Sequence, residues 1–178
     1  MAGIQRFIES YLLKKQIRET ERSAHLLNIE QVDNICLLVD LEGVSGPEEL
    51  RAAHEALSLG GKNVDLVCYY DNHELPGQFT GGAYHYLDKR DMNVLQIPKT
   101  STIENLLDKS YDLMLLYNPG GHFSLYYLSA ILDSKLRIGD TDHGKRSVIE
   151  FRLVVQKQQL QHFIQVALNY LKHINKSL

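Results

Sequence analysis

Most of the usual vocabulary of catalysis is missing from this chain. There is no Gly-x-Ser-x-Gly elbow to present a hydrolase nucleophile, the Gly pair at 120–121 is not followed by the Lys-Ser/Thr of a phosphate loop, and there is neither an HExxH nor a pair of CxxC motifs. Cysteine is scarce. Cys36 and Cys68 both sit inside apolar runs (ICLLV and LVCYY), where a thiol behaves as a small buried hydrophobe and not as an exposed nucleophile. No apolar run approaches the roughly 20 residues that span a bilayer, and the N-terminus lacks the continuous apolar stretch of a secretory signal. A reducing, cytoplasmic location is therefore expected. A large excess of charge of one sign is lacking too: a net charge of −3 and a pI near 6.2 argue against wholesale nucleic-acid binding, which usually needs a strongly basic face, and leave room only for a local basic patch.

What is present is an ordinary globular composition, with 44% apolar and 23% charged residues in 178, enough for one good core. The segment 111–140, YDLMLLYNPGGHFSLYYLSAILDSKLRIGD, reads as a buried strand, a Gly-Gly turn, an amphipathic helix and a second strand. That is one βαβ unit, the building block of a layered parallel sheet. Unbroken apolar runs mark further strands at 34–40 and 64–70, as expected where helices cover both faces. A short strand is read at 92–97 and another at 150–155, while 75–91 mixes Gly, aromatic and charged residues and reads as an irregular crossover.

Helices are expected between these strands. Ser45 with Glu48 and Ser101 with Glu104 have the spacing of capping boxes, and Gly60-Gly61 stops the first helix. The last helix carries Leu160, Phe163, Ile164, Ala167, Leu168, Leu171 and Ile174 on one stripe. The alternation predicts a three-layer, Rossmann-like α/β domain over 31–178, with a mostly parallel sheet of about five to six strands.

Residues 1–30 are expected to form an N-terminal amphipathic helix and its connector. Ile4, Phe7, Ile8, Tyr11 and Leu12 share one stripe, and five basic side chains against three acidic ones (Glu9, Glu19, Glu21) give it a charge of +2. Packing on the protein's own domain, on a second copy or on a protein partner is favoured over docking on a membrane surface.

Ligands of open α/β sheets bind beyond the carboxyl ends of the strands, near the point where strand order reverses. Those ends offer Asp40, Glu42 and Gly43; Asp71, Asn72 and His73; Asn118, Gly120, Gly121 and His122; and Asp140, Asp142 and His143. If the strands at 34–40 and 111–117 are neighbours, Asp40, Asn118 and His122 converge. The candidate ligand-binding set is Asp40, Asn118, Gly120, Gly121, His122 and Asp140. The Asn-Pro-Gly-Gly turn leads straight into a helix, so its N–H groups could hold an anion such as phosphate. His73, His122 and His143 beside carboxylates are ligand types a divalent metal takes, but no metal-binding spacing is present. No metal ligand, no cofactor and no catalytic residue is assigned.

Two resemblances follow from particular residues. Leu75-Pro76, LDKRDMN at 87–93, Pro98, Tyr111-Asp112-Leu113, Leu132-Asp133-Ser134-Lys135, Arg137-Ile138-Gly139 and YLKHINK at 170–176 resemble a family of small uncharacterised bacterial proteins with a basic N-terminal helix and a compact α/β domain. The order from Tyr111-Asp112 to Arg137-Ile138-Gly139-Asp140 is also similar to part of the Rossmann-like domain of heptosyltransferase-type glycosyltransferases, without their second domain or their Gly-Asp loop. The first resemblance implies no activity. The second implies a shared fold and, as an alternative function, a degenerate glycosyltransferase-like site for a small ligand or nucleotide sugar. The leading expectation is a non-enzymatic accessory or protein-interaction protein.

Overall fold

The computed structural model describes residues 8, 11–13, 15, 27–74, 76–79, 84–140, 148–155 and 159–174. Six strands form one sheet: β1 (Asn34–Asp40), β2 (Asn63–Tyr70), β3 (His85–Asp88), β4 (Ser110–Tyr117), β5 (Asp133–Gly139) and β6 (Phe151–Arg152). Their order is β3-β2-β1-β4-β5-β6, and every pairing is parallel. Ile35 of β1 sits opposite Val64 on one side and Leu113 on the other, which places β1 and β4 side by side in the middle.

Alternation along these two strands builds two cores. Ile35, Leu37, Val39, Leu113, Leu115 and Tyr117 face α1 (Pro47–Ser58) and α4 (Leu160–His173). Cys36, Leu38, Met114 and Leu116 face α2 (Thr100–Leu107) and α3 (Phe123–Ile131). An unbroken apolar strand is thus what both faces require, and the result is the expected three-layer α/β domain. Among the described residues no helix is long and apolar enough to cross a membrane.

Several local expectations need correction. The third strand is not at 92–97 but within the segment read as irregular, at His85–Asp88. Residues 93–97 form a tight turn because Asn93 Oδ1 accepts from the amides of both Leu95 and Ile97, an arrangement that competes with strand pairing. Only the bridge between Met92 and Pro98 remains there. Neither capping box forms: α1 is capped by the extended backbone of Gly46, with the Ser45 amide donating to Glu49, and α2 is preceded by Lys99 without a side-chain cap. The last strand shortens to Phe151–Arg152.

Of the N-terminal stripe, Ile4 and Phe7 lie outside the described residues. Residues 8, 11–13 and 15 are helical. Leu13, outside the expected stripe, is buried in the α2/α3 core, Leu12 packs against it, and Tyr11 is 61% exposed.

Candidate functional site

The chain lays β2 and β3 to one side of β1, then crosses back to place β4 on the other, so strand order reverses between β1 and β4. The crevice beyond their carboxyl ends is where open sheets of this kind hold ligands. Asp40 ends β1 and is fully buried. Its Oδ1 accepts from the Glu42 amide at 3.0 Å, shaping the turn Leu41–Gly43, and its Oδ2 accepts from the Gly120 amide at 2.8 Å. The end of β1 is thereby tied to the turn after β4.

That turn is clamped from within. Asn118 Oδ1 accepts from the His122 amide at 2.9 Å, its Nδ2 donates to the His122 carbonyl at 3.0 Å, and the Gly121 amide donates to the Asn118 carbonyl at 3.0 Å. Asp140, at the end of β5, accepts from the Asn118 amide at 2.9 Å. The N–H groups of Gly120, Gly121 and His122 are therefore all committed within the protein, and the expected cradle for an anion is filled by the protein's own acceptors. Gly120 is required by close approach: a Cβ there would stand 2.5 Å from His122 Nε2 and 2.7 Å from Asp40 Oδ2.

His122, at the start of α3, is the pivot. Its side chain is only 15% exposed, its Nε2 lies 3.5 Å from Asp40 Oδ2 and 3.7 Å from Glu42 Oε2, and its Nδ1 lies 4.0 Å from Asp71 Oδ2. Nε2 is buried and makes no hydrogen bond with the protein. The ring meets Tyr69 edge-on, with centroids 5.4 Å apart and planes at 67°. Beside it opens a hollow of about 240 Å³ lined by Tyr69, Asp71, Lys89, Gln96, His122 and Ser124, with Gly121 and Phe123. Asp71 accepts from the Tyr69 hydroxyl at 2.7 Å and pairs with Lys89 at 3.2 Å. Burial, reinforced by the Asp71 hydrogen bond, pushes the Tyr69 phenol well above its ordinary range and keeps it a donor.

The chain belongs to DUF6913, a family of unknown function. The family's sequence model matches residues 5–174. No curated protein and no solved structure matches the chain, so the likeness to heptosyltransferases rests on the βαβ pattern alone. The Arg137-Ile138-Gly139 run that contributes to both resemblances is structural. Arg137 is 2% exposed and donates to the carbonyls of Ser129 and Leu132 at 2.9 Å each, closing the C-terminus of α3.

All six expected ligand residues lie at this crevice, but in different roles. Asp40, Asn118 and Asp140 fasten its loops, Gly120 permits the close approach, Gly121 takes φ 70° in the turn, and His122 faces the hollow. Glu42 and Asp71, noted at strand ends but left out of that set, belong beside His122. His73 is exposed, and Asp142 and His143 lie outside the described residues. Tyr69, Lys89, Gln96 and Ser124 lie outside the set expected from the sequence. Only Tyr69, next to the last residue of a strand, carried a positional signal.

Two larger hollows lie elsewhere. One, of about 560 Å³, is at the opposite edge of the sheet by Asn34, Asp65 and Lys109, and the other, of about 580 Å³, lies between the starts of α1 and α4. Size does not decide between them. Asp65 accepts from Lys109 and from the Tyr111 hydroxyl, and Glu49 accepts from the amides of Ser45 and Leu160, so the carboxylates there are satisfied. Of the three, the switch-point hollow is the one lined by a residue with an unsatisfied buried nitrogen, His122, whose Nε2 lies on the side of Asp40 and Glu42.

Proposed function

We propose that this protein binds a small hydroxyl-bearing molecule in the hollow beside His122. The observation that carries the reading is the buried His122 Nε2, without a hydrogen-bond partner, in a side chain that forms the wall of a polar hollow at the switch point. Tyr69, Asp71, Gln96, Ser124 and Lys89 supply both donors and acceptors around it, which suits hydroxyl groups. Tyr69 and Phe123 add apolar ring surface.

Size and charge narrow the occupant. The hollow, about 240 Å³, is below the roughly 300 Å³ at which pockets for drug-sized ligands begin, so the inferred ligand is smaller than a nucleotide sugar. With the turn amides committed and three carboxylates about His122, a phosphate is a poor fit. The two buried free cysteines, on opposite faces of the sheet, agree with a cytoplasmic setting.

Ligand binding raises thermal stability by mass action. Polyols, monosaccharides and amino alcohols at millimolar concentration are expected to include at least one that raises the melting temperature of the wild type and not that of His122→Ala. A panel with no effect on the wild type, or with equal effects on both, overturns the proposal.

A second reading, protein contact through the N-terminal helix, is favoured by one observation, the 61% exposure of Tyr11. Under it, Tyr11→Glu weakens self-association or partner binding without loss of fold. Unchanged association would remove it.

A further inference from the structure

The geometry points to a divalent-cation site formed by Asp40, Glu42 and His122, at the edge of the crevice. It shares the His122 nitrogen with the reading above but does not depend on what fills the hollow. One donor atom from each of the three residues lies within 4.8 Å of the others. Two donors held at about 2.1 Å by a tetrahedral first-row ion stand about 3.4 Å from each other. The separations of 3.5 and 3.7 Å from His122 Nε2 to the two carboxylates are of that size, and they are too long or too poorly aligned for the direct hydrogen bonds that would otherwise satisfy this nitrogen.

The surroundings provide what a ligand set needs from its outer shell. Asp40 is oriented by two backbone amides, from Glu42 and Gly120, with lone pairs still available on its oxygens. The far nitrogen of His122 faces the Asp71 carboxylate, 4.0 Å away, and Asp71 is itself held by Tyr69 and Lys89. A carboxylate behind a ligating histidine, and hydrogen bonds behind a ligating carboxylate, are the recurring supports of metal sites.

Charge argues the same way. Asp40 is fully buried, and among the described residues no lysine or arginine lies within ion-pair distance of it or of Glu42. A buried carboxylate beside a second one calls for a positive partner. His122 alone supplies at most one charge, and a divalent ion supplies the balance. One imidazole with two carboxylates suits a first-row ion such as Mn²⁺, Fe²⁺ or Zn²⁺ better than Ca²⁺ or Mg²⁺, which take oxygen donors. Glu42, with a half-exposed side chain, is free to close on the ion, and remaining coordination positions take water or a ligand hydroxyl.

Isothermal titration of the chelator-treated full chain with MnCl₂ and ZnCl₂ tests the site. The expected result is one saturable ion per chain for at least one of the two metals. His122→Ala and Glu42→Gln should each weaken binding by at least the roughly tenfold that loss of even an outer-shell partner costs, while His85→Ala, at the opposite edge, keeps the wild-type affinity. Circular dichroism establishes that the variants are folded. Absence of saturable binding of either metal to the wild type, or binding retained by both His122→Ala and Glu42→Gln, overturns the inference. Because the readout is metal binding alone, its failure would leave the small-molecule reading untouched.

Discussion

His122 and Asp40 meet across the switch point of the sheet, with Nε2 3.5 Å from Oδ2. One residue opens α3 and the other closes β1, so the contact exists only because β4 returned to the free side of β1. The Gly120 amide bonds the same oxygen, and the three groups occupy a space that no side chain at position 120 can share.

Gly120→Ala is therefore expected to displace the His122 ring or the Asp40 carboxylate. A Cβ at 2.5 and 2.7 Å from them is closer than real Cβ contacts come, and the obstacles are side-chain tips and not backbone. The variant should stay folded while any binding at His122 is lost. Amide spectra would show changes centred on Asp40 and His122. Spectra unchanged at those residues would mean that the approach is looser than the structure has it.

Leu115, in the middle of β4, is fully buried between β1 and β5 and faces the core beneath α1 and α4. Leu115→Ala should cost about 2 to 5 kcal/mol in chemical denaturation, the range for large-to-small changes in cores. A cost under about 1 kcal/mol would remove β4 from the centre of the sheet.

How far the sequence reaches is clear from particular residues. LMLL in β4 and ICLLV in β1 admit no polar alternation, so both strands and their polar ends were legible. HYLD in β3 was not: four residues with His and Asp among them carry little apolar signal, and pairing with β2 supplies what the sequence lacks. Asn93 hid in an apolar-looking stretch, although its side chain makes the turn. At the site, Asp40 and His122 could be named as strand-end groups, but their convergence rests on the β1–β4 pairing. The anion cradle read from Pro-Gly-Gly is filled because Asp40 and Asn118 reach its amides, which local sequence does not show.

Asp112 links β4 to the start of β1 and should govern stability in acid. Its Oδ2 accepts from the amides of Asp33 and Asn34, and its Oδ1 from Lys135. Burial alone would raise this carboxyl, but the hydrogen bonds from Lys135 and the two amides outweigh it and hold it below the ordinary value of 3.8. A carboxyl lowered on folding contributes stability that is present above its unfolded value and lost as pH falls through the folded one. Unfolding free energy should therefore drop more steeply below about pH 4 in the wild type than in Asp112→Asn. Parallel pH profiles for the two proteins would contradict this assignment.

Gln96 is the sole non-glycine residue with positive φ, 60°, among the described residues, and it lines the hollow. Ser124 Oγ donates to its carbonyl at 2.9 Å. Gln96→Gly should stabilise the fold by about 1 kcal/mol by relieving a left-handed conformation, while removing a ligand-facing amide. Greater stability with weaker ligand binding is the expected pair of results; a less stable Gln96→Gly would show that its side-chain contacts outweigh the strain.

A binding site around His122 can be located by an amide NMR titration of the full chain with hydroxyl-bearing small molecules. Saturable shifts concentrated at Gly121, His122 and Ser124 are expected. Shifts concentrated instead at Asn34, Lys109 and Tyr111, around the larger hollow at the opposite edge of the sheet, or no saturable shift at millimolar concentration, would contradict it.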